Sequence, residues 1–132
     1  MTARDAILDV YAGLLRRVVE RRPLSAAALR RLPARIHLGC PEANAEHRES
    51  RRQYAHVGHL PRTICLAYAA RRLGRRHIRG LLAHELGHLL AGHAEGLRDD
   101  APERVREDEA DAAALKFLGV RVRYGRLALQ YA

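Results

Sequence analysis

The apolar positions first fall into a helical rhythm. Ile7, Tyr11, Leu14, Leu15 and Val18 recur every three or four residues, which predicts an amphipathic helix over residues 3–22 with Arg16, Arg17 and Glu20 on its wet side. Pro23 ends it. Ser25 can cap a short second helix running to Leu32, and Pro33 prevents its continuation. Ile36 and Leu38 then alternate with Arg35 and His37, the period of a strand with one buried face, before Gly39 and Pro41. Residues 42–52 are polar and read as an exposed loop or short helix. Residues 54–57 and 63–68 predict two more strands, joined across Gly58 and Pro61 as a hairpin.

The second half is dominated by one strongly apolar helix. From Arg75 to about Ala91, Ile78, Leu81, Leu82, Leu86, Leu89 and Leu90 cover most of its circumference, as expected for a helix buried in the domain. A break at 92–96 follows. Asp100 and Glu103 have the i, i+3 spacing that opens a further helix, with Gly119 as its stop. Val120, Val122 and Tyr124 alternate with Arg121 and Arg123 as a short strand, before a last turn over 127–131. The pattern predicts an α+β fold: a short, mostly antiparallel sheet packed on the central helix and on the helix that follows it.

Length and composition narrow this picture. At 132 residues the chain is read as a single domain over 1–132, with 48% hydrophobic residues to fill its core. The longest stretches without Asp, Glu, Lys or Arg are nine residues, 53–61 and 86–94, well short of the roughly twenty apolar residues of a membrane-spanning helix. The first helix carries Arg4, Asp5 and Asp9 and lacks the pattern of a secretory signal. Cys40 and Cys65 are too few for a disulfide framework and suit a reducing compartment. The expected location is therefore cytoplasmic, without a membrane partner.

The net charge of +9 comes almost wholly from arginine, since Lys116 is the one lysine among 24 basic residues. Between Arg16 and Arg79 sixteen arginines face four acids. A basic face for nucleic acid is one reading of this excess. Against it stand the lack of tryptophan, the single phenylalanine and the absence of a clear helix-turn-helix, so the plainer reading is solvated outer faces.

Chemistry concentrates in the central helix, at His84-Glu85-Leu86-Gly87-His88. Residues four apart on a helix are offset by about 40 degrees, so both imidazoles project from one side and can hold one tetrahedral metal ion. Glu85 is placed to reach a water at that ion but poorly placed to be a ligand. Three protein ligands with an open fourth position characterise a catalytic zinc site. His93 is a weak third ligand, because nine positions from His84 turn it to the opposite side while the helix lasts. It also misses the position of the third histidine in three-histidine metallopeptidases, where Ala94 stands. Glu107 is the better candidate: Glu107, Ala110, Asp111 and Ala114 share one helical side, the alanines permit close approach, and Asp111 can hold the far nitrogen of a ligating histidine.

The run from His84 through His93, followed by Glu107-x-x-Ala110-Asp111, resembles the gluzincin metallopeptidases and most closely the ImmA/IrrE family; the length is similar to that of minigluzincins. The resemblance implies a small zincin-like domain, Zn2+ as cofactor, His84, His88 and Glu107 as its ligands, and Glu85 as general base and acid. It implies a protein or peptide substrate, with regulatory DNA-binding proteins as the class, and residues 63–68 as a sheet edge along which a peptide lies as an added strand.

The expected activity is thus that of a zinc-dependent endopeptidase. His93, Tyr124, Tyr131 and Arg123 remain alternatives for the donor that stabilises the tetrahedral intermediate. A second reading is a nucleic-acid- or repressor-binding protein whose zinc site is structural. A third is a latent enzyme in which Cys40 or the tail at 130–132 fills the open metal position.

Overall fold

The computed structural model describes residues 2–21, 26, 30, 32–33, 35–39, 55–57, 62–66, 68–92 and 102–122. In chain order these form helix α1 (Ala3–Arg21), strands β1 (Arg35–Leu38), β2 (Ala55–Val57) and β3 (Thr63–Leu66), a 3-10 turn (Tyr68–Arg72), helix α2 (Arg75–Leu90), helix α3 (Glu103–Ala113) and a π-helical turn (Ala114–Leu118). The fold is a mixture of helix and sheet, as the α+β expectation has it.

A capping box that the pattern reading passed over starts α1. The Asp5 backbone N–H donates to Thr2 Oγ1 and the Thr2 N–H to the Asp5 carboxylate, both at 3.1 Å. Two donors of the first turn that would otherwise lack partners are satisfied in this way. Hydrogen bonds from Thr2 hold the Asp5 carboxyl below its ordinary range. Ile7, Tyr11, Leu14 and Val18 are the buried stripe of the helix. The Tyr11 hydroxyl reaches out of that stripe to donate to the Pro33 carbonyl at 2.6 Å, tying α1 to the chain that enters β1. Burial pushes its phenol far above the usual range.

The sheet has the order β1-β3-β2. β2 pairs antiparallel with β3, His56 opposite Cys65, as expected of the hairpin. β1 pairs parallel with β3, Ile36 opposite Ile64, so the sheet is mixed rather than mostly antiparallel. Residues 39–62 separate β1 from β3, enough chain for the crossover that a parallel pair requires. β3 is consequently the centre of the sheet, so Thr63–Leu66, the strand within the 63–68 segment expected as an edge, is not one. Thr63, Ile64, Cys65 and Leu66 are all buried, the mark of a strand covered on both faces. The strand stops at Leu66, and Tyr68–Arg72 turns as a 3-10 helix toward α2.

Helix α2 supplies the other half of the core: Ile78, Leu81, Leu82 and Leu86 join the α1 stripe, β3, Ala114 and Leu118 in one cluster. Each fully buried side chain of this size contributes roughly 1.5–3 kcal/mol by leaving water. α2 packs on α1, α3 and β2 at once, which is why so much of its circumference is apolar. It ends with Ala91 as cap and Gly92 in the left-handed region at φ 82°, a backbone state that suits glycine.

Pro102 stands at the N-cap of α3 and makes no side-chain cap there. Asp100, expected there as a cap, lies outside the described residues. The predicted stop at Gly119 is met, with φ 67° and its N–H donating to the Leu115 carbonyl at 3.1 Å. Residues 120–122 form no strand; Val120 instead tucks into the core. Ala26 and Arg30 are helical, in keeping with the short second helix, while the rest of that helix, residues 42–52 and the last turn at 127–131 fall outside the described residues. No helix among the described residues is long and apolar enough to cross a membrane.

Candidate metal centre

The centre lies where α2 meets α3, and a glycine sets how closely the two helices approach. A Cβ built on Gly87 would stand 2.0 Å from the Ala110 carbonyl oxygen and 2.8 Å from its carbon, far inside contact distance. Only a glycine lets the backbone of α3 lie against α2 here. Ala110 is fully buried at the same point. The small side expected on α3 is therefore matched by a bare position on α2 that motif reading left as a spacer. A glycine in the middle of an apolar helix, costly by about 1 kcal/mol against alanine, was the signal available for it.

This contact brings Glu107, one turn before Asp111 on α3, over the two histidines of α2. The Glu107 carboxylate lies 2.5 Å from His84 Nε2 and 3.3 Å from His88 Nε2. The two Nε2 atoms are 3.1 Å apart, with the rings nearly perpendicular at 86°. One donor atom from each of His84, His88 and Glu107 lies within 4.8 Å of the others, close enough for the three residues to hold a metal ion. Donors about 2.05 Å from a tetrahedral ion are about 3.3 Å apart; the separations of 3.1 and 3.3 Å match this, whereas His84 and Glu107 at 2.5 Å stand at hydrogen-bond distance and would part slightly around a cation. The donor set is two imidazoles and a carboxylate, the chemistry of the expected ligands.

Asp111 completes the arrangement. Its Oδ1 lies 2.7 Å from His84 Nδ1, on the far side of the ring from Glu107. Nδ1–H donating to this carboxylate leaves Nε2 with its lone pair toward Glu107 and His88, the tautomer that a metal requires. His84 itself is almost wholly buried, at 2% exposure, whereas Glu107 is 39% exposed at the rim. Without a cation the same geometry favours a proton. Burial alone would lower the His84 pKa, but hydrogen bonds to Asp111 and Glu107, with the charges of Glu85 and Glu107, raise it to about 10. Burial opposes ionisation of Glu107, and its contacts with His84 and His88 override that, driving its carboxyl well below the ordinary range.

Glu85 is buried beside His84 and stands outside the group of converging donors. His93 lies beyond the end of α2, outside the described residues, as do Cys40, Arg123, Tyr124, Tyr131 and residues 130–132. Compared with family models, curated proteins and solved structures, the chain finds no match.

Proposed function

We propose that this chain is a zinc-dependent endopeptidase of the gluzincin type, and that it works in the cytoplasm. The observation that carries the reading is the meeting of His84, His88 and Glu107 from two helices, with Asp111 behind His84. His84 Nε2, His88 Nε2 and a Glu107 oxygen would hold Zn2+. When bound, zinc supplies a Lewis acid that polarises a carbonyl and makes a water acidic near neutral pH.

Everything else falls to the chain's own groups. Glu85, one residue from a ligand and buried at 5% exposure, is the base that takes a proton from the attacking water and returns it to the leaving amine. Asp111 holds the His84 ring in one orientation throughout. Of the two edges among the described strands, β2 is the one against which α2 packs, so an extended substrate belongs along β2 and not along the covered β3. The likeness of residues 84–93 and 107–111 to ImmA/IrrE proteins supports a protein substrate, with a regulatory DNA-binding protein as its class.

Metal analysis of the purified protein and cleavage of an unfolded protein substrate test the reading together. Glu85→Gln is expected to keep stoichiometric zinc and to lose turnover by about 10²-fold or more, the usual worth of general acid–base catalysis. A variant that cleaves at the parent's rate removes Glu85 from the mechanism. A parent that takes up no zinc removes the proposal.

A further inference from the structure

A cavity of about 620 Å3 opens between α1 and the first turns of α2, and five arginines line it: Arg16 and Arg17 from α1, Arg75, Arg76 and Arg79 from α2. Two carboxylates, Asp9 and Glu20, share it. Arg75 is paired with Asp9 at 2.5 Å, and Arg17 donates to the Leu118 carbonyl at 3.3 Å. Arg16, Arg76 and Arg79 are exposed and have no carboxylate within 4.0 Å among the described residues. The cavity thus gathers five arginines from two helices against two carboxylates, and this excess of positive charge is one that an anion would relieve.

Two features sharpen the chemistry. Gly74 caps α2 without a side-chain hydrogen bond, and the first turn of that helix carries no acid, so its positive end adds to the arginines beside it. Among the described residues the apolar lining is Val10 and Leu14, of which Leu14 is buried, and none of those residues offers an aromatic surface on which a base or ring could stack. The cavity offers charge and guanidinium forks but no apolar anchor for a peptide side chain. From Arg79, His84 lies five residues on and about 140 degrees around α2, so the cavity and the metal centre occupy different sides of the helix.

We propose that this cleft binds the phosphodiester backbone of nucleic acid, independently of sequence. It gives five of the sixteen arginines between Arg16 and Arg79 a located site, and it does not rest on the peptidase reading.

Fluorescence anisotropy with a labelled duplex of about 20 base pairs, between about 50 and 200 mM salt, provides the test. The parent is expected to bind with a steep salt dependence. Arg16→Ala with Arg79→Ala should weaken binding by about tenfold at the lower salt and reduce the slope of log affinity against log salt by about 1.8, two phosphate contacts' worth. Gly13→Glu tests the cleft without removing an arginine. A Cβ at Gly13, which lines the cavity, meets only Arg16 Nη2, at 3.8 Å, so a side chain can start there without a clash, and the exchange raises helix propensity. It should weaken DNA binding comparably while leaving the melting temperature no lower.

Arg35→Ala with Arg121→Ala removes the same charge from exposed positions outside the cleft and should leave affinity within about twofold. Equal losses in that control pair would overturn the assignment, as would a parent that does not bind at the lower salt. Poly-glutamate competing as well as DNA at equal charge would overturn the choice of phosphodiester.

Discussion

Gly87→Ala should weaken metal binding at the proposed centre before it costs the fold. The added methyl would sit 2.0 Å from the Ala110 carbonyl oxygen and 3.2 Å from its Cα. Carbon and oxygen approach to about 3.3 Å at closest without strain, so α3 must withdraw from α2 by about 1.3 Å. Backbone atoms on both sides leave no flexible side chain to absorb the displacement. Overpacking of this kind costs typically 1–3 kcal/mol, and alanine returns up to about 1 kcal/mol in helix propensity. The net loss of stability is therefore modest.

The loss at the site is not modest, because Glu107 rides on the same helix one turn away. Ligand distances tolerate about 0.2 Å, so a shift of an ångström takes the carboxylate out of a sphere shared with His84 and His88. We expect zinc affinity, read by competition with a chromophoric chelator, to fall by about 100-fold or more. Gly80→Ala is the matched control: the same exchange on the same helix, where a Cβ meets nothing within 4 Å. It should keep metal affinity and raise the melting temperature. If Gly87→Ala binds zinc within about threefold of the parent, the close approach of the helices does not position Glu107, and the account of the centre fails.

Three further outcomes follow from other contacts. Asp111→Asn keeps the size of the side chain but weakens the hold on His84 Nδ1, so zinc affinity should drop by about 10–100-fold with little change in the circular dichroism spectrum; an unchanged affinity would show Asp111 to be incidental. Tyr11→Phe strands the buried Pro33 carbonyl and should lower urea stability by about 1–3 kcal/mol, whereas a neutral result would mean that water replaces the hydroxyl. In the metal-free protein the raised His84 pKa gives stability that is full below its unfolded value near 6.5 and is lost as pH climbs toward about 10. Zinc must displace that proton, so its apparent affinity should increase by about tenfold per pH unit between about 6.5 and 9, and a pH-independent affinity would contradict the hydrogen-bonded cluster.

The parts of this structure that were legible in the sequence are those governed by spacing within one helix. Ile7, Tyr11, Leu14 and Val18 form the buried stripe their intervals predict, and α2 runs from Arg75 to within a residue of its expected end. Glu107 and Asp111 reach His84 as their shared helical side requires. Strand order is different in kind, because it depends on which pieces of chain meet across long separations. Nothing local in residues 35–38 states that they pair parallel with β3, over the 24 intervening residues 39–62. One signal was nonetheless present. Thr63-Ile64-Cys65-Leu66 carries no charge and does not alternate, whereas Arg35-Ile36-His37-Leu38 does, and an unbroken apolar run is the composition of a central strand.

Gly87 was harder to read for a related reason. Its role belongs to a pair, Gly87 with Ala110, whose members lie on different helices 23 positions apart, and neither residue alone implies the other. The two histidines could be read because four residues of one helix set their offset, yet the distance from them to Glu107 is set by that pair. A motif on one helix thus specifies the direction in which its donors point, while the span of the centre depends on residues that carry no donor at all. For this chain, a substitution that leaves all of His84, Glu85, His88, Glu107 and Asp111 intact can still empty the centre, and the Gly87 and Gly80 variants are the pair that separates direction from span.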